Sequence, residues 1–177
     1  MARHISLSLL GLGAALLLAC SPKPEAPPPS QPVYRDVTRP IAAAVLFDIR
    51  QLRGEWEVLA HYPLQSTPCQ RLRFAFGAEN AQLICLDDPA GPQLVQQGSL
   101  RSGGTGRILL DFGPAFEAPD LRVIWIAHDS DTAVLGTADG RAGFVINRAA
   151  HLSADRWAAV REMLDFNGFD PARLQRR

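Results

Sequence analysis

The chain carries no excess charge of either sign. Eighteen Lys and Arg stand against 18 Asp and Glu among 177 residues, which argues against a nucleic-acid binder that relies on a large net positive charge. Cysteine is scarce. Cys20, Cys69 and Cys85 are too few to staple a small disulfide scaffold. His4, His61, His128 and His151 are scattered, and neither an H-x-x-x-H nor a C-x-x-C pair occurs, so no metal site is expected. Ser, His and Asp are present without the G-x-S-x-G elbow of a serine hydrolase. Gly103-Gly104-Thr105-Gly106 lacks the Lys that follows in a phosphate loop and reads as a turn. No catalytic residue and no cofactor is therefore expected, and the chain does not read as an enzyme. What is present is an ordinary globular balance, 47% hydrophobic and 20% charged, which excludes wholesale disorder.

Long apolar runs are also few. The one that stands out, Ile5 to Ala19, has fifteen uncharged residues after Arg3 and His4. At ~1.5 Å per residue it spans about 22 Å, short for a membrane-crossing helix and of the length of a secretory signal core. It ends in Leu17-Leu18-Ala19-Cys20, which resembles the lipobox of bacterial lipoproteins. That resemblance implies a signal peptide over 1–19, cleavage before Cys20 and lipid attachment to it. Several acyl chains hold a protein stably on a membrane, whereas one is marginal. Ser21 in place of an Asp points to the outer membrane, with the protein facing the periplasm. Residues 20–40 then form a spacer. Half of the fourteen prolines fall in it, and proline, with φ fixed and no amide donor, favours an extended tether over a sheet.

From Ile41 to Arg177 the composition is that of a folded domain. Ile41 to Leu52 reads as one short helical segment, with Pro40 suited to its first turn. After Gly54 short alternating runs take over. Trp56, Val58, Ala60 and Tyr62 alternate with Glu55, Glu57, Leu59 and His61, and Leu72, Phe74 and Phe76 alternate with Arg71, Arg73 and Ala75. Period two with one polar face is the mark of half-buried antiparallel strands. Strands are expected near 55–62, 70–76, 81–86, 93–100, 106–112, 121–127, 132–137 and 142–148, separated by turns such as Asp139-Gly140. Eight strands in sequential hairpins predict an all-β protein, an eight-stranded antiparallel up-and-down β-barrel. A C-terminal α-helix follows, packed outside. Ser153 is its N-cap, Trp157, Val160 and Leu164 share its apolar face, and Gly168 ends it.

These features resemble the lipocalins. Gly54-Glu55-Trp56 at the start of the first strand is similar to the G-x-W signature, and Phe144-Val145-Ile146-Asn147-Arg148 to the last-strand motif that closes in Arg. The terminal helix, Gly168-Phe169-Asp170 and Phe112-Gly113-Pro114 look like bacterial lipocalins of the outer-membrane lipoprotein type. Asp129-Ser130-Asp131-Thr132 stands where the family usually has T-D-Y, without the Tyr. The resemblance covers residues 45–174. It implies that Trp56 plugs the closed end of the barrel and that Arg148 lies across its indole, a cation–π pair worth about 0.5–2 kcal/mol. Both are structural residues, not ligand contacts.

The expected role is a membrane-anchored carrier of a small hydrophobic or amphipathic ligand, such as a fatty acid or lysophospholipid, with no nucleic-acid partner. A homodimer is compatible with the sequence. Parity places Val58, Ala60 and Tyr62 from the first strand on the ligand, with Leu72, Phe74 and Phe76 from the second. Ile108, Leu110 and Phe112 join them from the fifth strand, Val123 and Trp125 from the sixth, and Phe144 from the eighth. His61 is a candidate for a headgroup at the rim. Two alternatives stay open: a barrel filled by its own bulky side chains, and a structural or interaction module at the outer membrane. Pairing about the turn near 77–80 brings Cys69 within a few positions of Cys85, so a disulfide is within reach, with buried free thiols or a catalytic thiol as the other readings.

Overall fold

The computed structural model describes residues 32–64, 69–112 and 120–177. The signal segment, Cys20, the spacer up to Gln31, and Gly113-Pro114 lie outside the described residues. Eight strands follow one another in hairpins: β1 (Gly54–His61), β2 (Leu72–Phe76), β3 (Asn80–Cys85), β4 (Gln93–Ser102), β5 (Arg107–Asp111), β6 (Asp120–Ile126), β7 (Thr132–Thr137) and β8 (Gly143–Asn147). Each pairs antiparallel with the next, and β1 pairs with both β8 and β2, which closes the sheet into a barrel. A two-residue strand, β9 (Gln175–Arg176), adds to β1 from the C-terminus. The end where β1 begins is called the floor. The opposite end, with the β1–β2, β3–β4 and β7–β8 connections, is the mouth.

The expected helical segment from Pro40 is not formed. Residues 40–48 hold no helix, and only a 3₁₀ turn, Ile49–Leu52, precedes β1. Its start is fixed by Asp48 instead, whose side chain accepts from Arg50 N while Gln51 Oε1 accepts from Asp48 N, a capping box. Ala-rich composition gave helix propensity, but Ala44 N is taken by Val123 O at 2.8 Å, so the segment is drawn along the wall instead of coiling.

The floor is built as the resemblance implied. Trp56 is fully buried and its Nε1 donates to Leu52 O at 2.6 Å. The Arg148 guanidinium lies 3.9 Å from the indole centroid, donating to Gln51 O at 2.9 Å and Glu55 O at 3.1 Å. Gly54 has φ +97°, and a Cβ there would stand 3.1 Å from Arg148 Nη1, so both the turn and the close approach call for glycine.

The helix α1 (Ala154–Phe166) runs outside from floor to mouth, with Ser153 capping it through Arg156 N at 3.2 Å. Val160 and Leu164 are fully buried under it, against Ile124, Val134 and Val145 of the outer wall. Trp157 packs on the edge of this layer and is capped by Arg176 at 4.1 Å. The described part of the Pro-rich stretch is not a free spacer. Tyr34 and Arg35 are buried: Tyr34 stacks on Tyr62 at 4.9 Å, and Arg35 donates to Asn167 O and Ala138 O and, in a very short contact, to Arg39 O. Among the described residues the packed unit therefore reaches back to Tyr34, ahead of Ile41. Between Pro32 and Pro40 the chain still makes an isolated antiparallel bridge from Arg35 to Phe169 and packs its aromatic on the wall.

Candidate functional site

The barrel interior is apolar from floor to mouth. Val58, Leu72, Phe74, Phe76, Ile108, Leu110, Phe112, Val123 and Phe144 all lie in its core, as strand parity expected. Ala60, Tyr62 and Trp125 do not. They belong to the layer between the barrel wall and α1. The reason is a pair of β-bulges. The β1–β8 register jumps between Val58 and Ala60, and the β6–β7 register between Val123 and Trp125. One extra residue reverses the phase of every side chain beyond it. Ala60 and Tyr62 thus turn outward, whereas His61 falls opposite Phe144, and Ile126 packs on the interior in place of Trp125.

The expected lining also left out Leu83, Leu100, Leu121, Leu135 and Ile146, which join the interior. Leu121 and Ile146 share the parity of Val123 and Phe144, whereas β3 and β7 offer a weaker signal. β7 is buried at all six positions, so its two faces look alike in sequence. β3 carries Leu83 next to Ile84, and its register with β4 shifts between the two. Gly98 is a further interior position without a side chain. A Cβ there would meet Asp111 O at 1.8 Å and the Phe112 ring at 2.8 Å. This glycine makes room for Phe112 near the mouth.

The lower interior is filled. Trp56, Leu72, Phe74, Ile108, Val123 and Phe144 have no surface that a water molecule can touch, whether from outside or from an internal void. Phe74 stacks on Phe76 at 5.2 Å and meets Phe144 edge-on at 5.3 Å, both ordinary aromatic geometries. The lower barrel is thus a packed core in this conformation.

The mouth differs. Residues 54–57 of β1 pair with β2, but at Ala60 and His61 the chain pairs with Arg176 and Gln175 of β9 instead. The seam between β1 and β2 is therefore split over its mouth half. A cleft of about 480 Å³ opens there, within the range of small-molecule sites. Its described lining comes from His61, Pro63 and Leu64 on one side, Cys69 and Gln70 on another, and the C-terminal residues 175–177 on the third. Leu64 and Cys69 also touch the interior core, so the cleft abuts the apolar lumen. His61 Nδ1 is 2.9 Å from Tyr62 O, which fixes the ring at the cleft edge.

Cys69 and Cys85 form a disulfide, with Cα atoms 5.8 Å apart. The bridge ties the β1–β2 connection to the end of β3 and so fixes one bank of the cleft. Asp87 carries this further, accepting from Gln70 N at 3.2 Å. Behind the cleft, Glu57 receives Arg73 and Arg177, each at 2.6 Å. Burial pushes its carboxyl up, but the two guanidinium groups outweigh it and hold it below the usual carboxylate range. Burial likewise pushes the Tyr62 phenol up, with Asp170 adding to the effect, so Tyr62 stays a neutral donor to Asp170 O.

No protein-family model and no curated protein matches the chain. Solved structures do. Apocrustacyanin C1 superposes with a TM-score of 0.54 at 16% identity, over 71% of this chain and 76% of its own. Lobster apocrustacyanin A1 does so with a TM-score of 0.53 at 17% identity, over 73% of this chain and 78% of its own. At such identities the likeness is one of fold. That fold is the lipocalin type, a closed eight-stranded up-and-down barrel with one C-terminal helix on its wall.

Proposed function

We propose that the chain is a membrane-tethered lipocalin-type barrel that takes a small apolar or amphipathic molecule, of the class of fatty acids or lysophospholipids, at its mouth. The observation that carries this reading is the split β1–β2 seam. It leaves a cleft of about 480 Å³ whose inner wall, Leu64 and Cys69, is continuous with an apolar core. A hydrocarbon tail gains roughly 25 cal/mol for each Å² it buries. Because the floor is packed, the tail enters the mouth half only and displaces Leu64 from the core, while His61 stands at the edge where a headgroup would rest. The resemblance of Leu17-Leu18-Ala19-Cys20 to a lipobox supports the tether, and Ser21 in place of an Asp supports an outer-membrane position facing the periplasm. The role calls for binding and no reaction.

The test is titration with a fluorescent fatty acid. Saturable one-to-one binding, weakened by Leu64→Arg, supports the carrier. A second reading is favoured by the full burial of the lower interior side chains, Trp56, Leu72, Phe74 and Phe144 among them: a filled barrel serving as a tethered interaction module. The absence of binding by any fatty acid or lysophospholipid would select it.

A further inference from the structure

We propose that the mouth of the barrel faces a lipid bilayer, through an apolar patch of Val33, Val37 and Phe166 set where the tether leaves the folded unit. This rests on the tethered reading above and adds its orientation. The exit point is fixed by the mouth loops themselves. Tyr34 N donates to Gly140 O at 2.8 Å in the β7–β8 connection, and Tyr34 Oη donates to Pro63 O at 2.9 Å in the β1–β2 connection. Arg173 Nη1 donates to Val33 O at 2.9 Å. Whatever precedes Val33 therefore departs from the mouth end.

The patch lies at the same end. Phe166 closes α1 and is 66% exposed, Val37 is 57% exposed and Val33 44%. Arg39 Nη2 donates to Phe166 O at 2.9 Å, and Asp36 N to Gly168 O at 2.8 Å, which brings the turn carrying Val37 onto the end of the helix. Large apolar side chains left exposed together at one end mark a surface that something covers. Arg39 and Arg173 border them, as cations border the apolar face of a membrane-surface segment. Leu94, at the mouth end of β4, is also exposed.

Chain length favours the same end. Thirteen residues lead from Cys20 to Val33, a reach of at most about 45 Å. With the mouth on the bilayer, the tether spans no part of the barrel. To present the floor, the tether would first have to climb a barrel wall roughly 25 Å tall. The floor has its own exposed pair, Val45 and Leu46, and is the rival face.

The experiment uses the full chain, extracted with its anchor and reconstituted into phosphatidylethanolamine–phosphatidylglycerol vesicles with brominated acyl chains. Phe166→Trp and Leu46→Trp are compared after subtraction of the native tryptophan emission, with Val37→Trp as a second mouth reporter. Loss of emission from Phe166→Trp or Val37→Trp, with Leu46→Trp unchanged, is the expected result. Quenching of Leu46→Trp, or quenching of none while the protein floats with the vesicles, overturns the orientation and leaves the tether standing. Protein that does not float overturns the tether and the orientation together.

Discussion

The Trp56–Arg148 pair does more than a surface cation–π contact. Arg148 is drawn out of water by the floor, and burial lowers its pKa, with Asp131 opposing. It is held there by two carbonyls, Gln51 O and Glu55 O, that belong to the entry turn and to β1. The side chain thus joins three parts of the chain through a planar fork that Lys cannot reproduce. Arg148→Ala is expected to lower the unfolding free energy by about 2 kcal/mol, from one cation–π contact and two charge-assisted hydrogen bonds. Arg148→Lys should recover less than half of that. Urea midpoints of the three proteins decide the point, and an unchanged midpoint for Arg148→Ala would refute it.

Glu57 sets the acid side of stability. Its carboxyl is depressed in the folded protein by Arg73 and Arg177, against the opposing pull of burial. A depressed carboxylate stabilises the fold fully above its unfolded value of about 4.3, and the contribution is lost as pH falls through the folded value. Glu57→Gln should therefore cost stability at neutral pH and flatten the decline between about pH 5 and pH 3. Thermal midpoints across that window for both proteins measure it. Equal slopes would show that the ion pairs do not matter.

Among the elements, the described end of the β1–β2 connection is tied down by the Cys69–Cys85 bridge, which closes a loop of sequence separation 16. On loop-closure grounds such a bridge contributes about 3 kcal/mol. Native protein should take up no alkylating reagent at these two residues. Reduction should lower the unfolding free energy by about that amount, with the largest gain in hydrogen exchange on residues 69–76. Two alkylatable thiols in unreduced native protein would count against the bridge.

Most strands were legible because they obey a two-residue period over most of their length, and β7 and β8, buried at every position, because turns such as Asp139-Gly140 bound them. All eight expected spans overlap the observed ones to within one or two residues. The bulges at Leu59 and Ile124 were not legible. A bulge is chosen by the pairing partner and by barrel curvature, and no residue type announces it. That is why Ala60, Tyr62 and Trp125 moved to the outer layer while Val58 and Val123, earlier on the same strands, kept their inward places.

At the scale of the molecule, the outer layer unites the N-terminal strap, α1 and the C-terminal residues. Tyr34, Tyr62 and Phe169 form a stacked row, with Tyr62 4.9 Å from Tyr34 and 5.5 Å from Phe169. Arg35 sits at the end of the row, 5.8 Å from the Phe169 ring and bonded to Asn167 O at the negative end of α1. A chain trimmed to begin at Ile41, as composition alone recommends, would lose this row. It should unfold at least about 3 kcal/mol more easily than one beginning at Gln31, the usual cost of removing a buried aromatic side chain. Equal urea midpoints for the two chains would show the strap to be dispensable.

The sequence by itself determined the strands of the barrel and the helix, which depend on local periodicity, turns and capping, while the floor was implied by the family resemblance of Gly54-Glu55-Trp56 and Arg148. Only the tertiary structure decided which apolar residues face the lumen, that the lumen is packed, and that the β1–β2 seam splits at the mouth. These outcomes turn on register, on bulges and on how bulky side chains share a closed volume. Pairing over long sequence distances sets all three, and no local pattern records it.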